Sequence, residues 1–308
     1  MDFEMQALTL AAAIQQAGSI TGAAKHLGYS QPAVSQQLRK VEDRLGVPIV
    51  TRVGRSVRLT EAGIVLADRA RVVNAEIEST FSAIADIVGG ITGRVRIAAF
   101  ESASSSVVPA ILARMRDRHP GISVSIVKDD PSGAASKLAD GELDIAITYS
   151  YEGDADDPHA ALMRGLAVRR LFTEPVYIVL PADHPLAGGE QVPLAALADA
   201  DWIGGCMQTR GHLLSVCREA GFQPRIVRET DSAVTVLGLV RAGLGVGMLA
   251  SISVAAVGLP SGVRMLPSAP GGTRTVNVVT TDGARRVAAI AATLQAIDDV
   301  AAELGLAA

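Results

Sequence analysis

The chain is poor in cysteine, in aromatic residues and in lysine, and each shortage narrows what it can be. Cys206 and Cys217 are the only cysteines in 308 residues, too few for the disulfide framework of a small secreted protein. We interpret both as reduced thiols. Aromatic residues make up 3% of the chain and hydrophobic residues 49%, so aliphatic side chains must build the cores. Four of the 28 basic residues are lysines, a bias that we attribute to a GC-rich genome.

Long hydrophobic runs and a signal peptide are also missing. The longest uncharged run, which contains residues 242–262, is interrupted by glycines and by Pro260, which suit turns between short elements better than a membrane helix. The N-terminal segment Met1-Asp2-Phe3-Glu4 carries two acidic residues and lacks the basic and apolar parts of a signal peptide. We therefore expect a cytoplasmic protein with no membrane partner.

Sequence patterns of catalysis are absent as well. The five histidines show no two-turn metal spacing. Gly243, Gly245 and Gly247 miss the dinucleotide fingerprint, because the third glycine is misplaced and a helix precedes them. Residues 28–32 lack the second glycine of a nucleophile elbow, and the acidic run at 152–157 fits a solvated loop better than a metal site. The sequence predicts no enzyme, no metal and no cofactor.

Charge is distributed unevenly along the chain. The net charge is −4, which argues against a nucleic-acid binder only if the charge is spread evenly. Residues 19–58 carry seven basic residues against Glu42 and Asp43, whereas residues 61–308 carry 21 basic and 28 acidic residues. This asymmetry predicts a small basic module fused to a larger acidic body; chance clustering is the alternative.

The basic segment reads as a row of short helices. A first helix is expected from Met5 to Ala17, and Ser19 is a good N-cap for a second from Thr21 to Leu27. Gly28 permits a tight turn. A third helix begins at Ser30 or Gln31, with a proline in its first turn.

The third helix has two different faces. Apolar residues recur at spacings of four, three and four, and the opposite face is polar and basic, with side chains that reach bases and phosphates. Two short helices joined by a glycine turn form a helix-turn-helix; a three-helix bundle with a solvated face is the alternative. Two β-like runs then flank Gly54-Arg55, a basic hairpin that suits a DNA-binding wing.

Five segments match the LysR-type transcriptional regulators in order and spacing: Ser-Ile-Thr-Gly-Ala-Ala at 19–24, Ser-Gln-Pro-Ala-Val-Ser-Gln-Gln-Leu at 30–38, Leu-Gly at 45–46, Arg52, and Leu-Thr-Glu-Ala-Gly at 59–63. The chain therefore resembles that family, although Val50 stands where the family usually has Phe. The resemblance implies sequence-specific binding to double-stranded promoter DNA, with bases read by the third helix and phosphates bound by the wing. The predicted DNA-contacting residues are Thr21, Gln31, Pro32, Ser35, Gln36, Arg39, Lys40, Arg52, Arg55 and Arg58.

A long helix is predicted next, because residues 61–88 contain no proline and no glycine after Gly63. Apolar residues fall along it at alternating steps of three and four, a heptad seam of about four repeats. An exposed helix cannot bury such a seam alone; packing on its own domain is the alternative to pairing with a second copy. In the family this helix pairs two subunits, and two such dimers form a tetramer. The predicted dimerisation residues are Leu66, Val73, Ile77 and Ile84.

The rest of the chain alternates strands with helices, which predicts an α/β fold with parallel sheets. Residues 144–147, 180–186 and 243–249 also match the family, so the resemblance spans the chain and implies a two-lobed, periplasmic-binding-protein-like effector domain. We expect a winged helix-turn-helix domain at residues 1–60, a linker helix and joint at 61–92 and the effector domain at 93–308. Its first lobe would take about 93–167 and 269–308, and its second about 168–268.

Ligands of open α/β folds bind beyond the carboxyl ends of strands. Ser102 follows the first strand of the effector domain and takes the family's usual hydroxyl position, although ordinary N-capping is the alternative for any one serine. Glu101 departs from the small or polar residues common there and would oppose an anion or grip an amine. Because Ser102 sits at a helix start, we expect a carboxylate at that end of the ligand. An amine near Glu101 then makes an amino-acid-like effector our first expectation. The predicted effector-binding residues are Phe100, Glu101, Ser102, Ser104, Thr148, Gln208, Thr209, Thr230 and Asp231.

The leading hypothesis is a ligand-responsive transcription factor. An enzyme on the two-lobed fold is the first alternative, and the lack of a catalytic constellation argues against it. An architectural DNA binder without a ligand is the second, and the long two-lobed domain argues against that, because packing alone needs no cleft.

Overall fold

The computed structural model describes residues 3–53, 56–88, 91–151 and 157–306. The chain divides into two compact units, Met1–Ile84 and Ala85–Ala308. The domain boundaries near residues 60 and 92 stay predictions, since one helix runs from Glu61 to Val88. Arg55 and most of the acidic run at 152–157 lie outside the described residues.

The first unit contains three helices, a hairpin and the start of the long helix. The helices are α1 (Phe3–Ala17), α2 (Ile20–Leu27) and α3 (Gln31–Leu45), followed by strands β1 (Val50–Val53) and β2 (Ser56–Leu59) and by helix α4 (Glu61–Val88). The Ser19 hydroxyl accepts a hydrogen bond from the Gly22 N–H, 3.0 Å away, and Gly28 ends α2 with φ 71°. A side chain is strained at that φ, which explains the glycine.

The second unit is built on one curled, mixed sheet of nine strands in the order β4-β3-β5-β11-β6-β10-β8-β9, with β7 pairing β11. The strands are β3 (Gly93–Ala99), β4 (Ile122–Lys128), β5 (Ile145–Ser150), β6 (Ala167–Pro181), β7 (Val192–Pro193), β8 (Asp201–Gly204), β9 (Arg225–Glu229), β10 (Val246–Ala250) and β11 (Val263–Thr280). The helices around them are α5 (Glu101–Ser106), α6 (Val108–Arg118), α7 (Pro131–Ala139), α8 (His159–Leu162), α9 (Met207–Glu219), α10 (Ala233–Arg241), α11 (Ser251–Ala255) and α12 (Ala288–Glu303).

Strands β6 and β11 join the two lobes of this unit. They pair antiparallel along most of their length, with a break in register between Pro267 and Gly272. The prediction of parallel sheets holds for β3 with β4 and β5 and for β8 with β9 and β10. It is wrong for β11, which runs antiparallel to β5 and β6, and for β6 with β10. We refer to strands β3, β4 and β5 with α5 to α8 and α12 as lobe one, and to strands β8, β9 and β10 with α9 to α11 as lobe two. The predicted residue limits of the lobes stay predictions.

Two further elements differ from the sequence prediction. The sequence pattern predicts one helix from about Ser104 to His119, but the structure has two, α5 and α6, which meet at Val107 and Val108. Strand β8, which carries the fully buried Trp202, was not predicted. None of the helices in the described part of the chain combines the length and apolar character that crossing a bilayer requires.

Candidate DNA-contacting surface and effector cavity

Helix α3 presents a polar face opposite its buried stripe. Val34, Leu38 and Val41 are buried in the core of the first unit. Of the predicted contacts, Thr21, Gln31, Pro32, Gln36, Arg39 and Lys40 are exposed and Ser35 is half-buried. The Gln31 Nε2 group donates to the Ser35 hydroxyl over 2.9 Å. The structure therefore brings the predicted residues of α3 together on one accessible face, and their contact with DNA stays a prediction.

The hairpin after α3 is tied to that helix by one carboxylate. Glu42 on α3 accepts hydrogen bonds through Oε1 from the Ile49 N–H at 2.8 Å and from the Val50 N–H at 3.3 Å. Arg58 is exposed on β2 opposite Thr51, whereas the side chain of Arg52 lies outside the described part. Sequence reasoning missed this role of Glu42. The signal that could have indicated it is an acidic residue within an otherwise basic segment.

Helix α4 carries apolar side chains that the chain itself does not cover. Val65, Val72 and Ile77 are 56%, 59% and 41% exposed. Of the predicted seam, Val73 is half-buried, and the side chain of Ile84 lies outside the described part. Leu66 is half-buried and packs on the core of its own unit, as the alternative interpretation expected for that position.

A cavity of about 260 Å³ lies between the lobes of the second unit. Six of the predicted effector residues line it: Phe100, Glu101, Ser102, Thr209, Thr230 and Asp231. Its inner wall is largely aromatic, with the Phe100 and Tyr149 rings edge to face at 4.8 Å and Tyr151 a further 5.8 Å away. Lobe two adds Ile203, Val236 and Met248. The cavity is therefore walled by both lobes and apolar in its interior.

A buried ion pair stands at the inner end of the cavity. Arg274 lines the wall and donates to the Glu174 carboxylate over 2.6 Å and 2.9 Å, and to the Ser102 hydroxyl over 3.1 Å. Its guanidinium carbon lies 4.9 Å from the centres of the Phe100 and Tyr149 rings. Burial alone would lower the pKa of Arg274, but the adjacent carboxylate raises it. Sequence reasoning missed this pair, because Glu174 and Arg274 are 100 residues apart in sequence and meet only through the pairing of β6 with β11.

Carboxylates dominate the mouth of the cavity. Glu101 pairs with Lys128 at 2.8 Å, and Asp129 pairs with Lys137 at 2.6 Å. The hydrogen bond from Lys128 to Glu101 raises the pKa of the amine, and Asp231 contributes to the same shift. Asp130 caps α7, and the Gly133 N–H followed by the Ser132 hydroxyl lowers the pKa of its carboxyl. The mouth is therefore acidic.

Three predicted effector residues do not line the cavity. The Ser104 hydroxyl donates to the Ala99 carbonyl over 3.1 Å. Thr148 is fully buried, with its hydroxyl 2.9 Å from the Nε2 of His159. Gln208 is buried, and its amide donates to the Tyr149 carbonyl and to Asp157 at 2.8 Å and 2.9 Å. Each of these side chains is satisfied within the protein.

The two cysteines occupy different environments. Cys206 is partly exposed on the cavity wall, with Sγ 2.9 Å from the Tyr149 hydroxyl. Cys217 is fully buried, and burial raises the pKa of its thiol to about 12. Within the described ranges, no group of three or more metal-ligating side chains is found.

Two family models match the chain. The model of the bacterial regulatory helix-turn-helix protein, lysR family, matches residues 5–64, and the model of the LysR substrate binding domain matches residues 89–302. The chain belongs to the LysR family of transcriptional regulators. The family resemblance and the fold class predicted from the sequence are thereby confirmed, and the matched families and relatives are regulators rather than enzymes.

Individual relatives resemble this LysR-family chain over most of its length. It is 30% identical to the HTH-type transcriptional regulator TtuA of Agrobacterium vitis, over 72% of each chain. It is also 30% identical to a probable hydrogen peroxide-inducible genes activator of Streptomyces viridosporus, over 86% of this chain and 84% of the relative. The solved structure of full-length OxyR from Pseudomonas aeruginosa, with a cysteine-to-aspartate substitution, is 25% identical with a TM-score of 0.69 and covers 95% of this chain and 94% of its own.

Proposed function

We propose that this regulator is switched by a small, amino-acid-like metabolite that binds in the cavity between the lobes. The observation that carries the proposal is the composition of the cavity wall, which is aromatic inside and acidic at its mouth. The volume of about 260 Å³ lies just below the range of about 300–1,000 Å³ for drug-sized ligands, which favours a small metabolite.

The charges of the cavity favour an effector that carries an amine. Glu101, Asp129 and Arg274 each have an ion-pair partner of opposite sign. Among the described residues no ion pair is found for Asp130 or Asp231, which also line the wall. A bound ammonium group would offset the excess of negative charge at the mouth, where Lys128 and Lys137 face four carboxylates. The aromatic interior would hold its apolar body.

An effector in this position can change the output because it touches both lobes. A ligand shifts a conformational equilibrium only if it binds one arrangement more tightly than the other. Contacts with Ser102 on one side and Asp231 on the other would depend on the angle between the lobes. We infer that this angle sets how paired subunits are presented to DNA.

On the DNA side, we infer that Gln31, Ser35, Gln36 and Arg39 read bases in the major groove and that the wing binds phosphates. Pairing of α4 would give a dimer whose reading helices face half-sites related by a dyad. Two dimers would then join through their effector domains into a tetramer. The protein would act in the cytoplasm, where promoter DNA is found.

A thermal unfolding screen tests the effector. The full chain is heated with each L-amino acid and with each matching decarboxylated amine, and Asp231→Asn is compared with the control Asp183→Asn, whose carboxylate is exposed and does not line the cavity. At least one compound raises the melting temperature of the wild type and of the control, and Asp231→Asn needs about tenfold more of it. A wild type indifferent to every compound would contradict the proposal.

A thiol sensor is the second candidate function, favoured by Cys206 on the cavity wall and by the relatives that are named peroxide-inducible activators. In that case the Cys206 thiolate would attack the O–O bond of hydrogen peroxide, forming a sulfenic acid and releasing water. The buried Cys217 thiol disfavours a disulfide step, because its raised pKa suppresses the thiolate. Peroxide-dependent footprints that Cys206→Ser abolishes would favour this candidate, and unchanged footprints would exclude it.

A further inference from the structure

The two strands that join the lobes carry a buried ion pair that contacts both lobes. We infer that Arg274 binds the carboxylate of the effector and that Glu174 transmits this occupancy to helix α11 of lobe two. The inference rests on the proposed function, because it requires an effector in the cavity. It adds to that function the residue that recognises the anionic end of the ligand and a route from the ligand to the second lobe.

The ion pair is built into the register of the sheet. Arg274 on β11 faces Glu174 on β6 as its direct cross-strand partner. The two residues are 5% and 1% exposed, so their interaction is screened little by water. Both hydrogen bonds from Arg274 go to Oε1 of Glu174, so Oε2 can accept hydrogen bonds from other groups.

Glu174 uses that second oxygen to hold lobe two. Its Oε2 accepts hydrogen bonds from the Ser251 hydroxyl at 2.9 Å and from the Ile252 N–H at 2.8 Å, at the start of α11. Ser253 of the same helix lines the cavity. A shift of the Glu174 carboxylate would therefore change the hydrogen bonds at the start of α11.

Arg274 has donors left for a ligand. A guanidinium offers five N–H donors. Those of Nε and Nη2 donate to Glu174 and Ser102, so the two hydrogens of Nη1 remain. Within the described part of the chain no hydrogen bond from Nη1 is found. The side chain lines the cavity between the Phe100 and Tyr149 rings. A guanidinium held this way can donate a charge-assisted hydrogen bond from Nη1 to the carboxylate of a ligand.

A ligand carboxylate at Arg274 would weaken the attraction between Arg274 and Glu174. The wall at this end is neutral, since one cation faces one anion. A second anion competes with Glu174 for the guanidinium and repels it in a poorly screened environment. The hydrogen bonds that Glu174 accepts from Ser251 and Ile252 then become stronger, so that the position of α11 depends on whether the ligand is bound. If the pair only fastened β6 to β11, a ligand would bind without any change at α11.

Two readouts on three proteins and one control variant separate these possibilities. Calorimetry measures the binding of L-phenylalanine and L-leucine and of phenethylamine and isopentylamine, which lack the carboxylate. Hydrogen exchange measures the protection of the backbone at residues 250–256 with and without each probe. The proteins are the wild type, Arg274→Lys and Glu174→Gln. Arg264→Lys is the matched control, because Arg264 lies on the same strand and does not line the cavity.

The wild type and the Arg264→Lys control should bind at least one of the two amino acids at least about tenfold more tightly than the matching amine. Binding of that amino acid should also change backbone hydrogen exchange in α11. Arg274→Lys keeps the charge but loses the planar guanidinium, which holds Glu174 and Ser102 through Nε and Nη2 and leaves Nη1 for the ligand. It should therefore lose most of this preference while its affinity for the amine stays within about twofold. Glu174→Gln should keep the preference and lose the change at α11. If Arg274→Lys does not fold, the double variant Glu174→Gln/Arg274→Gln, which buries no unpaired charge, should lose the preference as well.

The outcomes distinguish the inference from the function on which it rests. A wild type that binds an amine as tightly as its acid, or an Arg274→Lys variant with the full preference, overturns the role of Arg274 and leaves an amine-binding cavity standing. An unchanged exchange response in Glu174→Gln overturns the transmission through that residue. No binding by any of the four probes overturns the inference together with the amino-acid-like effector.

Discussion

Replacing Ile77 by aspartate should split the dimer that helix α4 is proposed to form. Ile77 lies on the predicted heptad seam and is 41% exposed in the single chain. Val65 and Val72 on the same helix are exposed to a similar degree. Pairing of two α4 helices through the seam would bury the exposed part of Ile77, and a carboxylate at position 77 of each copy would face the other.

The size of the effect follows from the exposed fraction. Burying a whole isoleucine side chain stabilises by about 1.5–3 kcal/mol, so the 41% that is still exposed can contribute about 0.6–1.2 kcal/mol per subunit. Each unpaired carboxylate in the seam costs about 1–3 kcal/mol more. For two subunits the loss sums to about 3–8 kcal/mol, which raises the dimer dissociation constant at least about a hundredfold.

Sedimentation velocity at micromolar concentration checks this prediction. Asn74→Asp is the matched control, because it adds the same charge at an exposed position of α4 that lies off the seam. The control should sediment as the wild type does, and Ile77→Asp should sediment as a monomer with weakened operator binding. An Ile77→Asp protein that stays dimeric, or that binds its operator fully as a monomer, would refute the reasoning.

Three further changes test other parts of the molecule. Gln36→Ala and Arg39→Ala should each cost about 1–3 kcal/mol of operator binding and relax specificity at one position in a binding-site selection; unaltered specificity would mean that α3 is not the reader. Glu42→Ala should lower the unfolding free energy by about 1.5–3 kcal/mol in urea, because the Ile49 N–H loses a charged acceptor, whereas Glu42→Gln should lose less; equal losses would contradict the role of charge. Burial lowers the pKa of His159 against the opposing effect of Asp157. As the pH falls, the imidazole of His159 is therefore protonated at a higher pH in the unfolded chain than in the folded one. The free energy of unfolding should fall as the pH drops below about 6.5, by at most about 1.4 kcal/mol per pH unit. His159→Gln should flatten that slope, and an unchanged slope would assign it to other groups.

The N-terminal elements could be predicted from the sequence because local signals define them. Ser19 and Gly28 bracket α2 through a cap and a turn that act within a few residues. The bounds of α4 follow from the absence of proline and from a regular apolar period. Glu42 was missed because its contact with Ile49 joins a helix to the strand after it, and no local period reports such a contact.

The effector cavity could be predicted only in part, because side-chain direction decides which residues line it. Successive residues of a strand point to opposite faces, so Thr148 is buried away from the cavity while Tyr149 lines it. Thr209 lines the wall, but its neighbour Gln208 bonds within the protein. Arg274 pairs with a residue 100 positions away in sequence. That pairing depends on two long antiparallel strands, which the alternation of strands and helices did not predict.

The central claim is that a ligand in the cavity controls how the protein meets DNA. The most direct measurement is a footprint of the full chain on the promoter beside its own gene, with and without the amino acid that most raises its melting temperature. A cavity-filling variant, Ser253→Phe, serves as the comparison, because Ser253 is buried and lines the wall. We predict that the ligand changes the wild-type footprint and that Ser253→Phe keeps the ligand-free footprint without responding. A wild-type footprint that the ligand leaves unchanged, or a filled variant that responds as the wild type does, would contradict the claim.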